Sequence, residues 1–297
     1  MSPKDLLLVG VVIVAWGLNF VVIKVGLEGV PPMLLGALRF ILAAFPAILF
    51  VRRPNLPWRW LLAYGLTISL GQFAFLFSAM YVGMPAGLAS LVLQAQAFFT
   101  LGFAALFLGE SVRRSSLLGL LVAAAGLLLI GSENGGSFSL AGFVLTLCAA
   151  MMWGLGNIIT KRLGRVNLVS LVVWGSLIPP LPFLALSLLL EGPQQMATAL
   201  RQISLNSLLA IAYLAFVATL LGYGLWSRLL SRYPASQVAP FSLLVPVVGL
   251  SSAAILLGEA LDPMQWLGAA VVMLGLLINV FGTALLRRLR HLATHAR

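Results

Sequence analysis

Carboxylates and imidazoles are scarce in this chain. Seven Asp and Glu and two His occur in 297 residues. The acids are Asp5, Glu28, Glu110, Glu133, Glu191, Glu259 and Asp262; the histidines are His291 and His295. All of them fall at the ends of apolar runs, in the connections, or near a terminus. No carboxylate or imidazole is expected at mid-membrane, which removes the usual intramembrane proton relay. The same scarcity argues against a site for polycations, which would need acids. Cys148 is the single cysteine, so neither an intrachain disulfide nor a Cys/His metal cluster can form. H-E-x-x-H, G-x-S-x-G and a mid-run pair of acids are all missing, so the groups for a membrane-embedded enzyme are lacking. No metal and no cofactor are expected.

Apolar sequence fills the space. Hydrophobic residues make up 61% and charged residues 8%, against about 25% charged in soluble domains. Runs of about 20 residues recur, each long enough to cross a hydrocarbon core. Ten spans are predicted, at 5–25, 32–51, 60–82, 85–108, 115–131, 138–161, 168–190, 206–231, 234–257 and 263–286. The punctuation between them includes "VPP" (30–32), "RRPNLP" (52–57), "GSENGGS" (131–137) and "LEGP" (190–193). Lys4 precedes the first run, but no small-x-small cleavage pattern follows, so this run is read as a retained helix. The net charge of +11 is assigned to loops that hold orientation, not to nucleic acid. The expected surroundings are lipid and a small-molecule substrate. A receptor role lacks a sizeable soluble domain.

The two halves resemble each other. "WGLNFVVIK" (16–24) parallels "WGLGNIITK" (153–161). "MPAGLAS" to "LFLGE" (84–110) parallels "YPASQVA" to "LLGE" (233–259), with 25 residues from Pro85 to Glu110 and from Pro234 to Glu259. "LLGLLVAAAGLLLI" (117–130) parallels "WLGAAVVMLGLLIN" (266–279) at the same offset. The offset grows by 12 after the first pair, and the segment around 191–202 is expected to absorb the difference. The repeats are assigned to 1–131 and 138–286, followed by a basic cytoplasmic tail at 287–297. An odd number of helices per copy makes the copies inverted. With the N-terminus inside, 15 of the 18 Lys and Arg fall on the inner side, leaving Lys24, Arg39 and Arg201. This bias predicts both termini in the cytoplasm. The expected fold is an all-α membrane protein of ten transmembrane helices in two inverted five-helix repeats.

Such repeats point to a transporter with its site near the midplane, where helices are interrupted. Pro46 interrupts the second span, Pro179 with Pro180 and Pro182 the seventh, and Pro240 with Pro246 the ninth. Any one proline is equally well a packing kink. Their matched positions favour hinges at Pro46, Pro179 and Pro246.

The residues carry a family resemblance. "AWGLNFVVIKVGL" (15–27), "GMPAGLASLVLQAQAFFT" (83–100), "YLAFVATLLGYG" (213–224) and "SLLVPVVGL" (242–250) resemble the drug/metabolite transporter superfamily, EamA type, and within it the O-acetylserine/cysteine exporter branch. The likeness covers nearly all of residues 4–283. It implies a bacterial inner-membrane exporter of cysteine, O-acetylserine and other small amino acids. Other metabolites or drugs of the superfamily remain open as cargo.

Polar groups at membrane depth are functional candidates. Asn19 shares a face with Trp16 at i+3, Gln72 with Ser69, Gln94 with Ser90, and Trp153 with Asn157. Thr219, Tyr223 and Trp226 form a stripe on the eighth span. These residues, Trp226 apart, are the expected substrate-binding set, with amide donors and acceptors and aromatic walls. The alternative for each amide is an interhelical hydrogen bond, and for each aromatic, membrane packing. Gln96 points nearly opposite to Gln94 on a regular helix, so only one of the two, Gln94 by preference, is assigned to the cavity. Lys24 and its counterpart Lys161 are candidate gate or entry residues, with snorkelling as the alternative; Glu28 is in reach of Lys24. Arg39 is expected to snorkel outward. Glu110 and Glu259 are read as structural. Gly119 with Gly126, and Gly268 with Gly275, mark close helix approach, either internal or in a dimer.

Overall fold

Each apolar run becomes a helix, because in hydrocarbon every backbone N–H and C=O needs an internal partner. A computed structural model describes residues 1–132, 139–164 and 166–295, apart from the side chains of 235, 236, 239 and 283–295. Glu133, Arg165, the cationic side chains from 287 onward and both histidine side chains therefore lie outside the described part. Among the described residues, ten helices are long and apolar enough to cross a membrane. They are α1 (Pro3–Gly29), α2 (Pro32–Leu49), α3 (Trp58–Tyr81), α4 (Ala86–Leu108), α5 (Arg114–Gly131), α6 (Leu140–Leu163), α7 (Leu168–Glu191), α8 (Leu205–Arg232), α9 (Pro240–Leu257) and α10 (Pro263–Gly282). The helical backbone of α10 runs on through the basic tail to His295. Among the described residues there is no strand.

Local sequence sets the boundaries. Ser2 caps α1, its hydroxyl accepting from the Asp5 amide at 3.2 Å, and Pro3 occupies the first turn, where a missing N–H costs nothing. Ser139 and Asn167 cap α6 and α7 in the same way. The ninth span starts later than expected. A short turn at Ala235–Val238 and a 3₁₀ stretch at Ala239–Leu243 precede its regular part, Leu244–Leu257. Pro246 thus sits in a first helical turn and interrupts nothing. Pro46 and Pro179 do lie at breaks, between Ala44 and Ala47 in α2 and between Gly175 and Pro180 in α7. The extra residues of the second half, between α7 and α8, form a short helix, Pro193–Arg201.

Four helices are irregular in a paired way. In α3, Gly65–Gly71 is wound as a π-helix, and in α8 so is Tyr213–Leu221. The offset that carries Pro85 to Pro234 carries 65–71 onto 214–220, inside the second segment. In α4, Leu93–Ala95 is a 3₁₀ turn, and its counterpart in α9 overlaps Ala239–Leu243.

The chain divides into two compact units, Met1–Thr100 with Phe138–Glu259, and Leu101–Ser137 with Ala260–Arg297. In the first unit the helices alternate in direction. One face, here the N-terminal face, joins Asp5 at the start of α1 to Arg232 and Tyr233 at the end of α8. Val9 and Ile13 pack there with Leu229 and Val238. The opposite, far face joins the end of α7 to the start of α2, and the end of α9 to the start of α4. In the second unit α5 and α10 meet through their glycines. A Cβ added at Gly119 would stand 2.6 Å from the Gly275 carbonyl oxygen, and one at Gly275 would stand 2.6 Å from that of Gly119. Gly126 and Gly268 face each other likewise. The close approach left open by the sequence is therefore internal to the chain.

Candidate functional site: a polar cavity within the helices

A cavity of about 430 Å³ lies inside the first unit. Its aromatic wall is centred on Trp16. The Trp16 ring lies 5.3 Å from those of Tyr223 and Trp226, and its Nε1 donates to the Ala218 carbonyl at 3.0 Å. The indole reaches that carbonyl because residue 222 is glycine; a Cβ there would sit 2.5 Å from Nε1. Tyr64, Phe73 and Trp153 extend the wall. Asn19, Gln72, Ser90, Gln94, Gln96 and Asn157 supply its polar groups. Asn157 Nδ2 donates to Gln96 Oε1 at 2.9 Å and to Thr100 Oγ1 at 3.0 Å. Asn19 Oδ1 and Gln72 Oε1 are buried and have no hydrogen-bond partner among the described residues.

The cavity runs toward the N-terminal face. Thr160, Leu168, Leu230 and Ser242, near the helix ends on that side, belong to its lining and are partly exposed. On the far side the lining stops at Leu76 and Ser90, both fully buried.

Eight of the ten residues expected to bind substrate line this one cavity: Trp16, Asn19, Gln72, Ser90, Gln94, Trp153, Asn157 and Tyr223. Two do not. Ser69 and Thr219 line a neighbouring hollow of about 10 Å³. Both lie in π-wound segments, where the wider turn breaks the face-sharing of a regular helix. Thr219 Oγ1 donates five residues back, to the Leu214 carbonyl at 2.8 Å. Gln94 and Gln96 both line the cavity, against the expectation that only one would. The 3₁₀ turn between them has three residues per turn, which brings positions two apart closer in angle.

Arg39 differs most from expectation. It does not snorkel; it is 2% exposed and lines both the cavity and the small hollow. Its Nε and Nη2 donate to Thr219 Oγ1 at 3.3 and 3.0 Å. The guanidinium carbon lies 3.9 Å from the Phe73 ring centre and 5.4 Å from that of Phe40. Nη1 is buried and has no hydrogen-bond partner among the described residues.

The EamA-like transporter family matches residues 4–132 and 140–281. The chain belongs to this family. It is 56% identical over 296 residues to a Salmonella typhimurium protein named "Probable amino-acid metabolite efflux pump", covering 98% of this chain and 99% of that one. An Escherichia coli K12 protein of the same printed name is 54% identical over 288 residues, covering 95% and 96%. A solved crystal structure shares the fold, with a TM-score of 0.66 at 22% identity and coverage of 97% and 99%. An EamA-type chain is a transporter of small molecules and not an enzyme, and this one is a multi-pass protein of the bacterial inner membrane.

The remaining candidates of this EamA-type chain stand outside the cavity. Lys24 donates to the Met80 carbonyl at 3.3 Å on the far face. Glu28, in reach by sequence, is exposed one turn on. Lys161 is exposed in the last turn of α6. Glu259 has the structural role expected of it: its carboxylate accepts from the Ala86 and Gly87 amides at 2.8 and 2.9 Å, capping α4. Glu191, which sequence reading passed over, does the same for α2. It accepts from the Met33 amide at 2.5 Å, the Leu34 amide at 3.2 Å and the Ser187 hydroxyl.

Proposed function

We propose that this protein exports small amino acids and cysteine-pathway metabolites, cysteine and O-acetylserine among them, by alternating access. The observation that carries the reading is the cavity itself. About 430 Å³ lies within the range of small-molecule sites, and a lining of amides and aromatics suits a small zwitterion. The two relatives at 54 and 56% identity, each named for amino-acid metabolite efflux, support the same cargo class.

In this reading the halves 1–131 and 138–286 rock against each other around the site, with both termini and the tail at 287–297 in the cytoplasm. The N-terminal face is then cytoplasmic, and the cavity stands ready to load cargo for export. Trp16, Asn19, Gln72, Gln94, Trp153, Asn157 and Tyr223 contact the solute, with Gln96 added. Pro46 and Pro179 serve as hinges, and Lys24 and Lys161 flank the two entrances. Among the described residues no acid lines the cavity, so any ion coupling runs without a midplane carboxylate.

The test is an export and tolerance screen in cells with cysteine, O-acetylserine and several apolar amino acids, followed by flux in proteoliposomes. Saturable flux that falls in N19A and Q72A supports the reading. Growth and efflux that are indifferent to the protein for every solute in the panel end it.

A further inference from the structure

We propose that Arg39 is the anchor for a carboxylate on the transported solute, so that a free carboxylate is a condition of recognition. This rests on the reading of the cavity as an export site and names the chemistry of its cargo.

A guanidinium cannot lose its proton under ordinary conditions, and a cation inside a membrane protein normally pairs with an anion or reaches water. Arg39 does neither. Among the described residues its hydrogen-bond partner is one hydroxyl, Thr219 Oγ1, the faces of Phe73 and Phe40 lie against it, and Tyr223 lines the same hollows. Aromatic faces and a hydroxyl offset only part of the desolvation of a full charge. Nη1 keeps both its N–H groups unused. Holding such a group in place is costly, and no carboxylate among the described residues ends that cost in this state.

The two other buried orphan atoms complete the pattern. Asn19 Oδ1 and Gln72 Oε1 are acceptors without donors, and their residues line the same cavity as Arg39. An unpaired cationic donor and two unpaired acceptors are the complement of a carboxylate and an ammonium. All three atoms are shielded in the present state. Cargo entry must therefore move a covering group, and the Phe73 ring, packed on the guanidinium, is the one placed to do so. The Nη1 and Nη2 edge then meets a carboxylate in the fork geometry that arginine favours. The resting bond to Thr219 is the substitute that the carboxylate supplements.

Counterflow in proteoliposomes tests this with an amino acid, its N-acetyl derivative and its methyl ester as competitors. The wild type should favour the free carboxylates over the ester by about 30-fold or more, the scale of losing one partner of a buried charged hydrogen bond. R39Q should lose this preference and R39K should keep part of it. An ester that competes as well as the acid, or an R39Q protein that still discriminates, overturns the proposal. A flux that follows chloride and ignores the carboxylate overturns it equally. A second readout needs neither a variant nor transport: tryptophan fluorescence and thermal unfolding of the wild type with propionate against propionamide. Trp16, Trp153 and Trp226 line the cavity. A response to propionate alone supports the anchor even where no amino acid is moved and the export reading fails. Equal or absent responses to both, with no preference for the free acid in counterflow, count against the anchor itself.

Discussion

The two faces of the first unit are held by different chemistry. On the far face, Glu191 and Glu259 each plug a helix N-terminus through two backbone amides, and the cavity lining ends there in fully buried side chains. On the N-terminal face the corresponding ionic contact is Asp5 with Arg232, whose side chain is 49% exposed. Carboxylates on helix N-termini gain from charge-assisted bonds and from the dipole together. The Asp5–Arg232 pair is open to water on its arginine side only, since the Asp5 side chain is 7% exposed and its carboxylate also accepts from the Tyr233 hydroxyl; screening at Arg232 weakens it. The shut side is thus latched by two doubly bonded caps, and the open side by one half-screened contact.

The comparison breaks most directly by chemical access. In a background lacking Cys148, a cysteine at Ser242 should react with a water-soluble thiol reagent several-fold or more faster than one at Ser90. Equal rates would erase the difference between the faces. Next in size is the loss of a latch. Glu259→Ala leaves the Ala86 and Gly87 amides without acceptors and should cost about 1–3 kcal/mol in unfolding stability; it should also raise labelling at residue 90. Glu191→Gln keeps the shape but removes the charge and one accepting oxygen, so a backbone amide of α2 loses its acceptor and about 1 kcal/mol should be lost. Smallest is Asp5→Asn on the open face, where the unfolding temperature should move less than in either latch variant. An Asp5 effect as large as that of Glu259 would overturn the contrast.

Long-range order was legible because it is written in run lengths and offsets. Ten apolar runs of bilayer size can become only helices, and the matching Trp–Lys and Pro–Glu spacings expose the duplication. Trp16, Asn19, Gln72, Gln94, Trp153 and Asn157 were found because a polar or amphipathic side chain at mid-span needs a reason. What failed depended on angles and on distant partners. Ser69 and Thr219 left the main cavity, and Gln96 joined it, because π and 3₁₀ winding changes the rotation per residue that pattern reading assumes. Arg39 was misplaced because its partner, Thr219, is 180 residues away. A position one-third into a span suggests snorkelling when no partner is visible. The cap formed by Glu191 was hidden likewise, since its amides belong to Met33 and Leu34.

The wide turns in α3 and α8 have a consequence for ancestry. A π-wound segment holds an extra residue relative to a regular helix, and such a residue is seldom gained twice at one matching place. The simplest history has it already inside a single five-helix ancestor before the gene doubled. Each half then inherited the same twist, and one copy came to present Gln72 to the cavity while the other turned Thr219 toward a buried arginine.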